Sequence, residues 1–208
     1  LRIGYISDGF REGATFCFLA PILANHSGSG MELFGYNLDP TGNPQGAIGK
    51  WFAACRHVAG WSEAEIRRQI RGDRIDVLVH VDSHMPSHRN PMVYRSRSAP
   101  VAVSLTIYPG TSGSSVVDYF LTDSWCDPPG ETDHLYTEQL WRLPSGAWYY
   151  RPPDVTPEVG ELPALSRGSC RFVFLQRPAK TNPLMWDLLA SVLREVEDSS
   201  LLMQNGDP

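Results

Sequence analysis

Short apolar runs rich in β-branched and aromatic residues alternate along this chain with stretches of helical character. Such an alternation is typical of β-α units, in which helices connect parallel strands and cover the faces of their sheet. The strands predicted in the first part of the chain are Arg2–Ser7, Glu32–Asn37, Asp76–Asp82, Val101–Ile107 and Val117–Thr122. The pattern therefore predicts an α/β fold built on a mainly parallel sheet.

Two helices are predicted between these strands. Ala14–His26 has the length and apolar content of a helix, and we expect Pro21 to kink or shorten it. Glu63–Arg71 begins within the sequence Ser62–Glu65, which is typical of a capping box. We expect Gly72 to end this helix in a left-handed conformation.

Residues 151–168 differ in composition from the rest of the chain, because they are rich in proline and contain few apolar residues. This composition favours an extended connection between two compact parts. We therefore predict a first domain over residues 1–150 and the beginning of a second domain over residues 169–208. The chain starts inside one strand-like run and stops just after another, so we expect it to be a piece of a longer protein. The aromatic residues near the end of the first domain are predicted to pack in the core and between domains: Trp141, Trp148, Tyr149 and Tyr150.

The segment after this connection predicts a second α/β unit. Arg171–Gln176 has the pattern of a strand, and Leu201–Gln204 has the pattern of another. Between them, Asn182 is the expected N-cap of a helix with Pro183 at its first position, where the missing amide costs nothing. Apolar residues recur on one side of that helix, which indicates that it packs on a sheet.

Charge and composition exclude several classes of partner. The 18 Lys and Arg residues are outnumbered by 23 Asp and Glu, and the basic residues are scattered, so we expect no nucleic-acid partner. No apolar run approaches the roughly 18 to 20 residues that cross a bilayer, and the first residues lack the features of a secretion signal, so we expect no membrane partner. The four cysteines include no Cys-x-x-Cys pair, which favours a reducing cytoplasm over a zinc or disulfide scaffold.

The segment Tyr108–Gly113 follows a predicted strand, at the edge of the sheet where α/β folds bind ligands. Gly110 and Gly113 permit a close backbone approach, and the amides and hydroxyls of Thr111 and Ser112 are suited to hold a phosphate or a sugar hydroxyl. A tight Pro-Gly turn is the alternative interpretation. The segment lacks the Gly-Lys-Ser/Thr ending of a nucleoside-triphosphate P-loop.

His80, Asp82 and His84 alternate, so on a continuing strand their side chains would share one face and form a possible metal site, with His88 nearby. No helical His-Glu-x-x-His or comparable framework supports that site, so we expect no bound metal. His84 is better explained as a loop histidine that lines a cleft, and His80 as a strand histidine with satisfied hydrogen bonds.

Asp8 and Lys180 are candidates for polar contacts with a ligand. Asp8 follows the first strand, where it either caps the helix that starts near Ala14, which is the commoner role, or accepts a ligand hydroxyl. Lys180 is the only lysine after Lys50, and it precedes a helix whose N-terminus attracts anions. A lysine at this place suits a diphosphate, and a solvated loop lysine is the alternative.

Several short motifs also occur in one order along the chain. They are Leu1–Ser7, Asp76–Val79, Ser98–Val101, Tyr108–Gly113, Asp118-Tyr119 with Thr122-Asp123, Asp127–Pro129, Arg142–Pro144 and Ala179–Pro183. This ordered set spans essentially the whole chain and resembles the catalytic region of the O-GlcNAc transferase and SPINDLY family. The set is far more specific than any single motif.

The resemblance implies a GT-B architecture, in which two Rossmann-like domains face each other across a cleft, usually preceded by tetratricopeptide repeats. It implies transfer of a sugar from a nucleotide donor, UDP-GlcNAc or alternatively GDP-fucose, to Ser or Thr of a protein acceptor, with no metal or other cofactor. Lys180 occupies the place of the family's lysine that helps bind the donor diphosphate and neutralise the leaving group, so it is the expected catalytic residue. The other substrate-binding residues that the resemblance implies are Gln176, His84, Tyr108, Gly110 and Thr111.

Two positions depart from the family pattern. Gly13 stands where relatives usually carry a histidine that faces the sugar, and Ile107 stands where they usually have a glycine. Because glycine supplies neither a donor nor a base, the alternative is a noncatalytic relative that acts as a binding or scaffold module. A metal-dependent hydrolase built on the two histidines and Asp82 is a third hypothesis. We expect the 208 residues alone to transfer no sugar, since catalysis requires both walls of the cleft.

Overall fold

The computed structural model describes residues 1–10, 13–26, 29–41, 48–83, 95–105, 107–152, 155–176 and 180–204. The chain divides into two compact units, Leu1–Asp154 and Val155–Pro208. This division falls within the Pro-rich stretch 151–168, and the three predicted domain ranges stay a prediction. No helix among the described residues is both long enough and apolar enough to cross a membrane.

The described residues of the first unit form a seven-stranded sheet in which every neighbouring pair of strands is parallel. Its strands are β1 (Arg2–Ser7), β2 (Glu32–Asn37), β3 (Ala54–His57), β4 (Val77–His80), β5 (Val101–Ser104), β6 (Tyr119–Asp123) and β7 (Gln139–Leu143). Their order across the sheet is β3-β2-β1-β4-β5-β6-β7. The chain thus adds β2 and then β3 on one side of β1. It then crosses to the other side of β1, where β4, β5, β6 and β7 follow in order. The predicted α/β fold with a mainly parallel sheet is confirmed.

Two helices cover opposite faces of this sheet because side chains alternate along each strand. Helix α1 (Ala14–Asn25) buries Leu19 and Leu23 in a cluster with Tyr5 and Val79. Helix α2 (Glu63–Gly72) buries Ile66 and Ile70 in a second cluster with Ile6, Tyr36 and Leu78. Pro21 lies inside α1, which nevertheless keeps nearly its whole predicted length.

The start of α2 is as predicted and its end is not. Ser62 Oγ accepts a hydrogen bond from the Glu65 amide, and the Glu65 carboxylate accepts one from the Ser62 amide, which completes the capping box. Gly72 is still helical, and the left-handed residue is Arg74, with φ of 53°. The left-handed residue comes two positions later than predicted because Asp73 is the C-cap of the helix. The buried Asp73 carboxylate accepts a hydrogen bond from the Arg56 side chain, which holds it in this place.

Several strand boundaries differ from the sequence prediction. The bounds of β1 and β2 are as predicted, whereas β4 and β5 are shorter than the apolar runs that contain them. The predicted strand Val117–Thr122 is displaced to Tyr119–Asp123. Strands β3 and β7 were not predicted from the sequence.

The aromatic residues near the end of the first unit are not core residues, which corrects that part of the prediction, while their packing between domains stays a prediction. Trp141 is 56% exposed, and Trp148 and Tyr150 are also exposed. Trp148 and Tyr150 pack against Phe18 of α1, with ring centroids 5.3 and 5.7 Å away. They therefore pack beside α1 through Phe18 and leave much of their own surface open.

The described part of the second unit contains two parallel strands, β8 (Arg171–Phe174) and β9 (Ser200–Met203). A short helix, α3 (Pro163–Arg167), precedes them, and α4 (Pro183–Glu195) connects them. Asn182 is the N-cap of α4 as predicted, since its Oδ1 accepts a hydrogen bond from the Met185 amide at 2.9 Å.

Candidate active site

The carboxyl ends of β1 and β4 lie side by side at the point where the strand order reverses. In parallel α/β sheets this crevice is the usual place for a ligand. The polar residues that are buried at this edge are Ser7, Asp8, His80, Asp82, Ser83 and Ser104. Buried polar groups are costly unless they are paired, so this cluster is the first candidate for a functional site in the first unit.

Hydrogen bonds join the two sides of this crevice. The Asp8 amide donates to Asp82 Oδ2 at 2.9 Å, although the two residues are 74 positions apart. The Ser7 hydroxyl also donates a hydrogen bond to the Asp82 carboxyl. Asp8 therefore contacts the segment that follows β4. The prediction that Asp8 caps the helix is wrong, because Gly13 is the N-cap of α1 and no side chain donates or accepts a cap hydrogen bond there.

Asp82 is the buried group at this edge whose ionisation is most perturbed. Its exposed fraction is 1%, and burial raises its pKa to about 7. The Ser7 hydrogen bond acts in the opposite direction, and the negative charge of Asp8 adds to the increase. Asp82 consequently changes charge near neutral pH, which is a property of groups that accept and release protons in enzymes.

The proposed metal cluster gains no support from the described residues. They contain no group of three or more His, Cys, Asp or Glu side chains arranged to hold a metal ion. His80 is buried at the end of β4, where it pairs in register with Ile6 and Ser104. His84 and His88 lie outside the described residues, and the absence of a metal stays a prediction.

The segment Tyr108–Gly113 is bound by a carboxylate that the sequence analysis missed. Thr111 Oγ1 donates to Glu138 Oε2 at 2.7 Å, and the Ser112 amide donates to Glu138 Oε1 at 2.7 Å. The Ser112 hydroxyl donates to the same oxygen. These are the donors that were predicted to hold a phosphate or a sugar hydroxyl, and here a carboxylate of the protein occupies them.

Glu138 is well suited to this role. Only 5% of it is exposed. Burial raises its pKa, but the hydrogen bonds from Ser112 and Thr111 outweigh that effect, so the pKa is lowered overall. Glu138 directly precedes β7, 26 residues after Ser112, and no local sequence pattern signals a contact of this range.

The other predicted site residues belong to two different segments of the chain. Tyr108 and Gly110 follow β5, and a Cβ at Gly110 would lie 3.4 Å from the Tyr108 ring, so the glycine packs beneath it. Gln176 and Lys180 belong to the second unit, where both are exposed and Lys180 lies two residues before the N-cap of α4. The substrate-binding roles of all these residues stay predictions.

An apolar cavity of about 380 Å³ lies on the face of the sheet that carries α1. Its floor includes Val79, Val103 and Leu121, and Phe18 of α1 contributes to its wall. A lining of this kind has few groups that can bind a phosphate or a sugar. The carboxyl edge of the sheet is therefore the better candidate for the site.

Comparison with known proteins agrees with this fold. The sequence profile of Glycosyl transferase family 41 matches residues 1–149. The chain is 29% identical to a probable UDP-N-acetylglucosamine--peptide N-acetylglucosaminyltransferase SPINDLY of Petunia hybrida over 209 residues, which cover 98% of this chain and 22% of the relative. The protein of the same description from Arabidopsis thaliana is 30% identical, over 98% of this chain and 23% of the relative.

A solved structure gives the same result. A mutant of the Thermobaculum terrenum O-GlcNAc transferase matches with a TM-score of 0.83 and 30% identity, covering 98% of this chain and 38% of that one. The predicted α/β, GT-B-like fold class is confirmed by this match and by the parallel sheet. The chain spans between a fifth and a quarter of the length of the two curated relatives. With its first 149 residues matched by the family profile, the chain belongs to glycosyl transferase family 41.

Proposed function

We propose that this chain is part of a protein O-glycosyltransferase, which transfers a sugar from a nucleotide donor to the hydroxyl of Ser or Thr in a protein acceptor. The observation that carries the proposal is the family match over the first unit, whose parallel sheet has buried polar groups at its switch point. The curated relatives are described as enzymes that use UDP-N-acetylglucosamine and a peptide. UDP-GlcNAc is therefore the proposed donor, and GDP-fucose is the alternative.

Lys180 is the proposed contact to the donor diphosphate. It is exposed just before α4, a helix of 13 residues whose N-terminal amides also favour negative charge. An ammonium there stabilises the negative charge that builds on the leaving diphosphate. This interaction accelerates transfer only if it is stronger in the transition state than in the ground state. Gln176, His84, Tyr108, Gly110 and Thr111 are proposed as further substrate contacts.

The proposal extends to the setting of the whole protein. Tetratricopeptide repeats before this region would present acceptor proteins, and the enzyme would work in the cytoplasm without a metal or other cofactor. Among the described residues, the cysteines Cys17, Cys55, Cys126 and Cys170 are free thiols, as a reducing compartment favours.

Nucleotide titration of the full-length protein tests this assignment. Lys180→Ala should weaken UDP or GDP binding about ten- to a hundredfold, since a charge-assisted contact is worth roughly 1.5 to 3 kcal/mol. Lys50→Ala is the matched control, because the Lys50 ammonium lies over the Trp51 ring in the first unit, 4.6 Å from its centroid. Equal affinities of the wild type and Lys180→Ala would remove this lysine from the site.

A noncatalytic binding or scaffold module is the second candidate, and two observations favour it. Gly13 has no side chain to act on a sugar, and nothing lies within 4 Å of the place a Cβ would take. Ile107 contributes its bulk to the apolar cavity beside β5. A radiolabelled sugar-transfer assay with the full-length protein separates the two candidates, because a scaffold transfers nothing even where it binds the nucleotide.

A further inference from the structure

We propose that the apolar cavity on the α1 face of the first unit is the docking site of an amphipathic helix, which belongs to the same polypeptide and is supplied by sequence outside residues 1–208. The docked helix covers the part of the sheet, β4–β7, that α1 leaves open. The inference rests on strand order and side-chain exposure, and it is independent of the proposed function.

The two faces of β5 and β6 are covered to different extents. On the α2 face every residue of these strands is buried: Ala102, Ser104, Phe120 and Thr122. On the α1 face, Val101, Tyr119 and Leu121 are only half-buried. Trp141, on the same face of the edge strand β7, is 56% exposed. The sheet thus buries two hydroxyl side chains on one face and leaves an apolar surface open on the other, although parallel sheets are almost always covered on both faces.

The order of the strands explains why this face is open. A connection between two parallel strands of one sheet is nearly always right-handed. The steps from β1 to β2 and β3 run in one direction across the sheet, and the steps from β3 to β4 and onward to β7 run in the other. By this rule the first steps belong to the α1 face and the later ones to the α2 face. The α1 face of β4–β7 is therefore left to chain that precedes β1 or follows β7.

The chain after β7 closes one side of the cavity without filling it. Trp148 and Tyr149 line the cavity, and the Arg151 amide donates to the Cys17 carbonyl of α1 at 3.1 Å. The space is thus bounded by α1, by this returning segment and by the sheet. Its volume of about 380 Å³ far exceeds the voids of a packed core, few of which are larger than a water molecule. The cavity is therefore a recess that requires an occupant and not a packing defect.

The open floor has the width of one helix. Neighbouring strands lie about 4.8 Å apart, so the four strands β4–β7 span about 14 Å. An α-helix with its side chains is about 10 to 12 Å across. Because the floor is apolar and the outer side faces water, that helix must be amphipathic. His26 also lines the cavity, and its buried Nδ1 has no hydrogen-bond partner among the described residues, so one polar side chain of the helix should pair with it.

Other occupants fit this cavity less well. A second copy of the chain would bring the same recess, and two concave surfaces leave the space between them empty. Small-molecule sites contain several convergent polar groups, whereas the lining here is almost entirely apolar. In the second unit, α4 connects β8 to β9 and thus belongs to that sheet, and α3 has only five residues. The curated relatives, of which this chain covers 22 to 23%, contain ample further sequence for such a helix.

Photo-crosslinking in the full-length protein identifies the occupant. The crosslinking residue p-benzoylphenylalanine replaces Trp141, which lines the cavity and is exposed enough to accept another aromatic group. Half-buried Tyr119 is the second position, should the first variant fail to fold. We expect crosslinks within one chain to a segment outside residues 1–208 whose apolar residues recur every three or four positions. The same group in place of Trp125, which is 93% exposed and does not line the cavity, is the matched control and should not reach that segment.

Crosslinks between two chains, to residues 155–208 or to a bound small molecule would each reveal a different occupant and overturn the proposal, as would no crosslink beyond the first unit. Hydrogen exchange then separates docking from mere proximity. Trp141→Glu places a charge in the apolar cavity, so the amides of the crosslinked segment should exchange at least about tenfold faster. Leu135→Glu, at an exposed residue outside the cavity, should leave their exchange unchanged. Equal exchange rates in the two variants would refute docking.

Discussion

Replacement of Glu138 tests whether its carboxylate stabilises the conformation of the segment Tyr108–Gly113. The carboxylate accepts hydrogen bonds from the Ser112 amide, the Ser112 hydroxyl and the Thr111 hydroxyl, and Thr137 Oγ1 donates to it at 3.1 Å. In Glu138→Ala the buried Ser112 donors lose their acceptor, as do the hydroxyls of half-buried Thr111 and exposed Thr137, at roughly 1 to 3 kcal/mol for each buried donor left unsatisfied. Hydroxyls can rotate toward other partners and the Ser112 amide cannot, so we expect a total loss of about 3 to 5 kcal/mol.

Glu138→Gln separates charge from shape. The glutamine oxygen can still accept from the Ser112 amide while its NH2 group faces hydroxyls that are able to accept. Only the charge assistance is lost, and hydrogen bonds to charged groups exceed neutral ones by about 1 to 2 kcal/mol. The expected order of stability is wild type, then Glu138→Gln, then Glu138→Ala.

Urea unfolding at several pH values is the assay, with Glu131→Gln as the control. Glu131 is an exposed carboxylate in the segment that leads to β7, so its replacement should change stability by less than about 0.5 kcal/mol. The pKa of Glu138 is lowered in the folded state, so its contribution is present at neutral pH and is lost as the pH falls below about 4. A Glu138→Gln protein as stable as the control at pH 7, or a deficit that grows on acidification, would contradict this account.

Two further replacements test contacts at the opposite ends of α2. Asp73→Asn should cost about 2 to 3 kcal/mol, because Asp73 accepts from the Arg56 side chain and from the buried Tyr36 hydroxyl; urea unfolding that is unchanged at pH 7 would show that neither contact matters. Ser62→Ala should cost about 1 kcal/mol by removing the capping box with Glu65, and thermal unfolding that equals the wild type would contradict the capping role.

The central strands were predictable because their residues are buried on both faces of the sheet. In β1 and β2, a run of apolar residues marks the whole strand. The missed strands β3 and β7 lie at the two edges of the sheet. Ala54–His57 and Gln139–Leu143 are only partly buried and include polar residues, so their sequences show no continuous apolar run. An edge strand is defined mainly by its neighbour, which a single sequence does not display.

The sequence indicated that a candidate site lies at the carboxyl ends of the strands. It did not indicate which residues of the site contact each other. The rule that ligands bind beyond the carboxyl ends of parallel strands was applied to Tyr108–Gly113, whereas Asp82 was considered only as part of a metal site. That the Asp8 amide contacts Asp82 follows from the position of β4 next to β1, which the strand order decides. The contact of Glu138 with Ser112 likewise depends on the pairing of β7 with β6. Rules that consider only neighbouring residues favoured helix capping for Asp8 and ligand binding for Ser112. Such rules take no account of residues that are distant in sequence and close in the fold.

The charges of the first unit bear on how the proposed reaction is divided along the chain. Its described carboxyl edge contains the carboxyl groups of Asp8, Asp39 and Asp82 and, within four positions of the strand ends, no Lys or Arg. Such an edge repels a diphosphate and favours neutral hydroxyls that donate to carboxyl oxygens. The described residues of this edge therefore suit sugar and acceptor hydroxyls better than a diphosphate. Lys180 of the second unit is the proposed contact to the diphosphate, so the proposed transferase would use residues of both units.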